Sequence, residues 1–377
     1  MSMETGSSIK VKVVRRIEEI SPQEWLSVFP KVLENYYLFK TLDESNMGQF
    51  SFFYILVYDN NTPVGATSCF TMNFPMDVAI GGKLKRITDF IKRFFPLAFS
   101  PKILICGLPM GQGRIGITGD PGRIIKAVNK TMEEIARQEK AGIIAFKDFN
   151  SDYRKIFDKF LGKDFTRMHS LPSTDMDISF TSFEQYLKTL SGVSRSGLRR
   201  KFKEIDGRVK IDLEVRDKLE EGTLGQVYAL YLQTFQRQEI SLEKLSADFF
   251  RNISKNMPGE IKFFLWRIDN KLAAFALCLV SGDYFIDYYL GFDYALAYQY
   301  HLYFIRIRDL INWCIKNKIS KYEMGPTGYE PKRRLGFNLI PLYIYAKHRS
   351  RLLNPIFKIF SYIARPVNFH AVVKELN

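Results

Sequence analysis

Two acidic residues lie inside apolar, β-rich segments of the second half of the chain, where a buried proton acceptor could sit. Asp287 belongs to the segment 283–290 and Glu323 to the segment 321–325. Burial on a central strand raises the pKa of a carboxyl group toward the values that general bases use. Strand alternation predicts that Asp287 and Tyr289 share a face, so Tyr289 could supply or receive a proton. Either carboxyl group could therefore be the base that deprotonates an attacking group.

A cluster of cations follows the second of these segments. Lys332, Arg333 and Arg334 come directly after Gly328 and a Tyr-Glu-Pro sequence. Neighbouring cations at a strand end suit a phosphate, a carboxylate or a tRNA backbone, because they form charge-assisted hydrogen bonds with anionic oxygens. A solvated turn is the alternative. We expect the binding role, and Arg333 and Arg334 are candidate ligands of an anionic co-substrate.

A glycine-rich segment, 107–122, carries a weaker signal in the first half. Within it, Gly111, Gly113 and Gly116 match the G-x-G-x-x-G pattern of dinucleotide-binding loops. That interpretation fails, because the loop does not directly join a strand to a helix as the motif requires. The loop amides, together with Arg114, could still hold a phosphate, and a plain flexible loop is the alternative.

The composition is that of a globular, basic protein. Hydrophobic residues make up 46% of the 377 residues, and the formal net charge is +15. A charge of this size indicates an anionic partner such as a nucleic acid, a phosphorylated substrate or an anionic membrane surface. The four cysteines form no C-x-x-C pair and lie in apolar runs, which predicts buried free thiols in a reducing compartment. The four histidines are scattered, so no metal site is expected.

Three basic segments could meet such a partner directly. Arg195, Arg199 and Lys203 share one face of a predicted helix, which could bind an RNA backbone or an anionic headgroup, or could simply be solvated. The segment 83–95 and the tail 351–377 combine apolar stripes with cations, as interfacial helices do. Packing on the protein body is the alternative for both. With no apolar signal core and no run long enough to span a bilayer, the predicted location is cytoplasmic, at most peripheral on a membrane.

The order of elements predicts a mixed α/β chain with two related halves. Each half contains strands around a tight turn, then a long helix, then another strand. The expected domains are 1–175, 176–350 and a basic amphipathic tail from 351 to 377. The long helix of the second half is expected at 298–317, followed by a last strand at 342–346.

The second half resembles the C-terminal GNAT domain of FemAB-like acyltransferases. The resemblance rests on the segment Glu323-Met-Gly-Pro-Thr-Gly-Tyr-Glu-Pro-Lys332, on the Gly336-Phe337 that follows it, and on the basic helix from Ser194 to Lys203. It implies a double GNAT fold, α/β (α+β) with two tandem units, each a mixed, mostly antiparallel sheet flanked by helices. Because the lysine of the family motif matches Lys332, the resemblance also makes Lys332 a candidate catalytic residue.

The resemblance further implies an N-acyltransferase that acts on an amine of a cell-envelope or lipid-linked molecule by direct attack. The expected donor is acyl-CoA, an acyl carrier protein thioester or an aminoacyl-tRNA, with no tightly bound cofactor. GNAT enzymes bind the pyrophosphate of CoA with a glycine-containing motif before their third helix. Here the corresponding segment, 292–298, contains no glycine, which leaves the donor open. The rival interpretation is a non-catalytic GNAT-derived module that binds a polyanion or an anionic membrane.

Overall fold

The computed structural model describes residues 9–74, 101–238, 242–363 and 374. Contacts divide these residues into two units. The first unit comprises residues 9–43, 47–172 and 341–363, and the second comprises residues 44–46 and 173–340. The predicted membrane-binding segment 83–95 and most of the tail beyond 363 lie outside the described residues.

Before residue 173, the described part of the first unit contains a mixed sheet and four α-helices. Its strands up to that point are β1 (Ile9–Val14), β2 (Ser51–Asp59), β3 (Thr62–Asn73), β4 (Lys102–Cys106), β5 (Ile115–Ile117), β6 (Ile143–Asn150) and β7 (Thr166–His169). Its helices up to that point are α1 (Pro22–Val28), α2 (Tyr36–Glu44), α3 (Pro121–Gln138) and α4 (Ser151–Phe160).

The second unit repeats this pattern. Its strands are β8 (Ser173–Asp177), β9 (Ile211–Arg216), β10 (Ile261–Ile268), β11 (Lys271–Ser281), β12 (Tyr284–Phe292), β13 (Lys321–Met324) and β14 (Asn338–Ile340). Its helices are α5 (Phe183–Thr189), α6 (Gly192–Ile205), α7 (Glu221–Phe235), α8 (Ala247–Asn256), α9 (Tyr294–Gln299), α10 (Leu302–Lys316) and α11 (Tyr329–Arg334). Strand β15 (Leu342–His348) and helix α12 (Asn354–Ile363) follow, and both belong to the first unit.

The two sheets have equivalent strand orders. The first runs β1-β2-β3-β4-β6-β15-β7, with β5 paired to β3, and the second runs β9-β10-β11-β12-β13-β8-β14. Each sheet has one parallel pair between its fourth and fifth strands, β4 with β6 and β12 with β13. The predicted mixed, mostly antiparallel sheets are therefore confirmed.

Each sheet also receives one strand from the chain segment that has just left the other sheet. β7 ends at His169 in the first sheet, and β8 begins at Ser173 in the second. In the same way, β14 ends at Ile340 in the second sheet and β15 begins at Leu342 in the first. The sequence-based boundary at 350 is therefore wrong, because the predicted last strand of the second domain pairs with β6 and β7.

Local signals predicted the elements well where the chain reverses or where a helix begins. A serine before a glutamate three residues later is typical of a helix start, and the side chain of Ser21 accepts a hydrogen bond from the Glu24 amide. Helix α1 ends at Val28, just before Phe29 and Pro30. The predicted helix 298–317 is two helices. His301 adopts the left-handed conformation between them, with φ of 50°, and ends the run of helical hydrogen bonds.

The core of each unit lies between its sheet and its long helix. Ile55, Leu104 and Ile144 pack with the buried face of α3 in the first unit. Trp266, Phe285 and Tyr322 pack with the buried face of α10 in the second. All four cysteines are buried free thiols, as predicted. None of the described helices has the length and the apolar run needed to cross a membrane.

Candidate active site

The parallel strands β12 and β13 part in the middle of the second sheet. They pair from Tyr284 and Lys321 to Asp287 and Met324. β12 then continues to Phe292 alongside β11, whereas β13 ends. The edge of β12 beyond Asp287 therefore has no hydrogen bonds to β13, and an extended ligand could pair with it there. This point of separation is the candidate active site.

A β-bulge in β12 lies beside this point. Asp287 is opposite Cys278 of β11 and Tyr289 is opposite Leu277, so Tyr288 is an additional residue in β12. An additional residue reverses the alternation of side chains. Asp287 and Tyr289 therefore project from opposite faces of the sheet, and the predicted shared face is wrong. Bulges of this kind often re-aim side chains next to active sites.

Asp287 forms a buried ion pair with Arg306 of α10. Its Oδ2 accepts a hydrogen bond from Nη1 of Arg306 and another, of 3.0 Å, from the hydroxyl of Tyr322. The side chains of Arg306 and Asp287 are 0% and 1% exposed. Burial, the largest single influence, would lower the pKa of Arg306, but the Asp287 carboxylate together with Tyr322 and Tyr303 outweighs it and the pKa is raised. Mutual pairing replaces the hydration that both charges have lost.

The ion pair retains unused hydrogen-bonding capacity. Oδ1 of Asp287 and the Nε and Nη2 atoms of Arg306 have no hydrogen-bond partner among the described residues. An unpaired buried polar group costs about 1–3 kcal/mol, and more when it is charged. One acceptor and two donors are thus left for water or for polar groups of a ligand.

Sequence reasoning missed Arg306, although a signal was present. Arg306 lies between Ile305 and Ile307, and all three are buried in the core of the second unit. A charged residue rarely takes a fully buried position unless an opposite charge pairs with it. Its partner, Asp287, had itself been singled out on a central strand, so the two signals could have been combined.

Lys332 of α11 lies near this pair. Its Nζ donates to the carbonyl oxygen of Gly325, directly after β13, and is 3.5 Å from that of Pro326. Burial lowers the pKa of Lys332 to about 8, while Asp287 acts to raise it and Arg306 to lower it further. Because the charges of Asp287 and Arg306 cancel, Lys332 leaves the cluster with a net charge of about +1 below its pKa.

The other two predicted catalytic residues lie on the opposite face of the sheet. Glu323 accepts hydrogen bonds from Ser173, at 2.8 Å, and from the hydroxyl of Tyr284. Tyr289 donates to Glu243 at 2.9 Å, and burial, with Glu243, raises its pKa well above the usual value for tyrosine. Tyr289 therefore keeps its proton. The sheet separates these groups from Asp287, so the four predicted catalytic residues form two sets rather than one.

The remaining cations of the predicted cluster differ from Lys332. Arg334 is exposed and pairs with Glu330 one turn earlier on α11, at 2.9 Å. Arg333 is partly buried and has interactions of its own. Their predicted role in binding an anionic co-substrate stays a prediction. The imidazole of His301, just before α10, lies 3.6 Å from the carboxylate of Glu204.

The helix that follows β12 has its N-terminus occupied by an acidic side chain. Asp293 caps α9, accepts a hydrogen bond from the Leu296 amide at 3.3 Å and pairs with Lys271 at 2.6 Å. Partial burial would raise the pKa of Asp293, but Lys271 and the helix amides lower it. The ionised carboxylate of Asp293 therefore accepts hydrogen bonds from the helix amides that could otherwise bind a pyrophosphate. Its negative charge would also repel a pyrophosphate at this position.

The glycine-rich loop of the first unit is packed against protein rather than open to a ligand. A Cβ atom on Gly111 would lie 1.5 Å from Oε1 of Glu34, and one on Gly113 would lie 2.2 Å from the carbonyl oxygen of Lys147. Arg114 lies 3.8 Å from the buried carboxylate of Glu34. This packing speaks against a phosphate at the loop, because an acidic group and the chain's own backbone lie against it. The predicted binding role of Gly111, Gly113 and Arg114 stays a prediction.

Comparisons with known proteins bear on the fold of the chain. Residues 193–333 match the model of the acetyltransferase (GNAT) domain family. The crystal structure of FemX is similar over 89% of this chain and 96% of its own, at 12% identity and a TM-score of 0.54. The C-terminal domain (DUF2156) of a protein from Agrobacterium fabrum, named as a lysylphosphatidylglycerol synthetase, is similar over 88% of this chain and 92% of its own, at 12% identity and a TM-score of 0.50. No curated protein sequence matches the chain.

These findings confirm the predicted resemblance at the level of fold. Residues 193–333 of the second unit match the GNAT acetyltransferase domain family, and the whole chain has a double GNAT fold like that of FemX. No three or more His, Cys, Asp or Glu side chains within the described ranges come together as a metal site.

Proposed function

Because residues 193–333 form a GNAT acetyltransferase domain within a FemAB-like double fold, we propose that the second unit transfers an acyl or aminoacyl group to an amine by direct attack. The acceptor is a cell-envelope or lipid-linked molecule. No covalent enzyme intermediate is needed, since the amine and the activated acyl group can react once both are held in line. The amide C–N bond forms while the C–S bond of a thioester or the C–O bond of an aminoacyl ester breaks, and the leaving thiol or tRNA hydroxyl takes up a proton.

The observation that carries this proposal is the buried ammonium group of Lys332 at the point where β12 and β13 part. With its pKa at about 8, Lys332 is mostly protonated at neutral pH. Attack on an acyl group develops negative charge on the carbonyl oxygen, and a fixed cation in a dry site stabilises that charge strongly. The surplus positive charge beside the neutralised pair of Asp287 and Arg306 is suited to this role.

The attacking amine must also lose a proton. The geometry favours Asp287 over Glu323 as the acceptor, because Oδ1 of Asp287 has no hydrogen-bond partner among the described residues. In contrast, hydroxyl groups already donate to both oxygens of Glu323. The ion pair with Arg306 then has a second function, which is to fix the direction in which Oδ1 points.

The acyl donor that fits best is one that does not need a pyrophosphate-binding site at the N-terminus of α9, since the side chain of Asp293 occupies that N-terminus. An aminoacyl-tRNA or an acyl carrier protein thioester meets this condition, and free acyl-CoA does not. The similarity to a domain named for lysylphosphatidylglycerol synthesis supports an aminoacyl donor and a lipid-linked acceptor.

Replacement of Lys332 tests the proposal. We expect Lys332→Met to lower kcat about 100- to 1,000-fold, the loss typical when one donor to a developing oxyanion is removed. Lys210→Met is the matched control, because Lys210 belongs to the same unit but is exposed and paired with Asp212 at 2.7 Å. The assay follows transfer of a labelled acyl group from acyl-CoA, acyl carrier protein or aminoacyl-tRNA to amine-bearing wall precursors and aminophospholipids.

Two results would contradict the proposal. Turnover by Lys332→Met equal to that of the parent protein would remove Lys332 from the chemistry. Absence of transfer from every donor, with native mass spectrometry showing a bound polyanion or lipid that is never consumed, would favour a non-catalytic binding module instead.

A further inference from the structure

Helix α12 has its polar residues turned inward. Asn354 is 7% exposed, donates from its side chain to the Asp164 carbonyl oxygen at 2.9 Å, and accepts from the His348 amide at 2.9 Å. Ser361, two turns later, is 3% exposed. These contacts fix which side of the helix faces the first unit.

The outer side of α12 and of the turn before it is apolar. Leu352, Ile356, Ile359 and Tyr362 are 87%, 64%, 65% and 62% exposed. Their spacing of four and three residues places them along one stripe of the helix surface. A surface helix of a globular protein normally shows the opposite arrangement, with its apolar stripe inward. A contiguous apolar stripe of this kind marks an interaction surface.

The charged residues of the segment that contains this stripe have one sign. Between residues 349 and 373 the sequence contains Arg349, Arg351, Lys358 and Arg365, and no Asp or Glu. Arg351 is exposed next to Leu352. Lys358 lies beside the stripe, and its Nζ donates to the Lys163 carbonyl oxygen at 2.7 Å. A partner for this surface must therefore be apolar in its interior and anionic where it meets water.

We propose that α12 binds in the interfacial region of a bilayer that contains anionic phospholipid. Leu352, Ile356 and Ile359 enter the boundary of the acyl chains, and Arg351 and Lys358 meet the headgroup phosphates. An apolar stripe with flanking cations is the pattern by which helices lie in a membrane surface, where both apolar burial and electrostatic attraction contribute. Such binding would hold the enzyme at the surface where a lipid-linked acceptor resides.

This inference does not rest on the proposed acyl transfer. α12 belongs to the first unit, and the candidate active site belongs to the second. Loss of membrane binding and loss of catalysis can therefore be measured separately, with vesicles alone for the first and a water-soluble amine for the second.

Vesicle co-sedimentation of the full chain tests the proposal. Vesicles of phosphatidylcholine alone are compared with vesicles that also contain phosphatidylglycerol, at low and at high salt. We expect binding to the anionic vesicles that weakens with salt. The triple variant Leu352→Ser, Ile356→Ser, Ile359→Ser should lower the partition coefficient about ten-fold or more, because it removes the apolar contribution.

The matched control is a variant that removes equally exposed apolar side chains elsewhere. Val193 and Tyr298 are 87% and 71% exposed in the second unit, so Val193→Ser with Tyr298→Ser should leave vesicle binding unchanged. Equal binding by the triple variant and the parent would overturn the proposal, as would no binding to anionic vesicles at low salt. Self-association of the parent in sedimentation velocity, lost in the triple variant without any vesicle binding, would show that the stripe joins two copies instead.

Discussion

The two units share a strand order but differ at the point where their parallel strands part. The last parallel pair is Cys106 with Phe146 in the first unit and Asp287 with Met324 in the second. The thiol of Cys106 lies 3.2 Å from the hydroxyl of Thr67, a contact between neutral groups. At the same place in the second unit there is a buried carboxylate with a charged partner.

The positions next to this last parallel pair also differ in polarity, being apolar in the first unit and polar in the second. Ile144 and Ala145 of β6 take the places that Tyr322 and Glu323 take in β13. The long helix of the first unit covers its sheet with apolar residues such as Ile125, whereas that of the second unit buries Arg306. The same fold thus supports an apolar core in one copy and an ionised cluster in the other.

Each unit has a lysine close to the point where its parallel strands part, and the two lysines differ in whether a carboxylate pairs with them. Lys147 pairs with the carboxylate of Asp148, so the first unit neutralises its cation. Lys332 bonds backbone carbonyl oxygens only, among the contacts of the described residues, and keeps its charge. Fold alone does not assign chemistry, but an uncompensated buried cation does indicate a site. These differences support the proposal that catalysis takes place in the second unit, with the first as a scaffold.

The largest effect is expected from breaking the ion pair that the first unit lacks. Arg306→Met leaves the carboxylate of Asp287 buried without its partner, which should lower the free energy of unfolding of the second unit by about 3–5 kcal/mol. Urea denaturation measures the loss. The double variant Arg306→Met, Asp287→Leu should recover most of it, since an apolar pair of similar volume needs no hydration. Equal destabilisation by the single and double variants would show that packing, rather than charge, dominates here.

A smaller effect is expected from a glycine in each unit. An alanine Cβ at Gly113 would lie 2.2 Å from a backbone oxygen, whereas one at Gly325 would meet nothing within 4 Å. Gly113→Ala should therefore cost about 1–3 kcal/mol through forced backbone shifts, and Gly325→Ala should change stability by less than about 0.5 kcal/mol. If Gly113→Ala instead left stability intact and abolished turnover, the loop would be a ligand site after all.

Turn chemistry made much of the fold predictable. Asn60 with Asn61, and Asp269 with Asn270, adopt positive φ values in the tight turns of the two hairpins, a conformation that Asn and Asp favour more than most residues. Helix caps likewise depend on residues close together in the sequence, as the hydrogen bond between the Ser21 side chain and the Glu24 amide demonstrates. These features depend on a few adjacent residues, so one sequence contains all the information that they need.

The rest of the site depends on contacts between distant residues. Nothing within β15 indicates that it pairs with β6, because its apolar pattern would suit either sheet. The bulge at Tyr288 follows from its register with β11 and re-aims Asp287, which strict alternation had misplaced. Ser173 reaches Glu323 only because β8 crosses into the second sheet. Such pairings are set by three-dimensional complementarity, which periodicity along one strand does not report.

The last prediction, a dependence of the transfer rate on pH, would sharpen the contrast between Lys147 and Lys332. Burial lowers the pKa of Lys332 from 10.5 to about 8, and the proposed role needs its protonated form. The rate should therefore fall as pH rises through about 8, by about ten-fold per unit above it. Lys332→Arg keeps the charge at these pH values, so any activity that it retains should lose this inflection.

Stability should change in the opposite direction over the same interval. Between pH 8 and 10.5 Lys332 is deprotonated in the folded chain but still protonated in the unfolded chain. The unfolded chain then binds more protons, so this group makes the folded chain relatively more stable as pH rises through that window. Lys332→Met should remove the change, measured as the difference in unfolding midpoint between the two ends of the window. A rate that stayed constant above pH 8 would remove the protonated Lys332 from the mechanism, even if the stability change were observed.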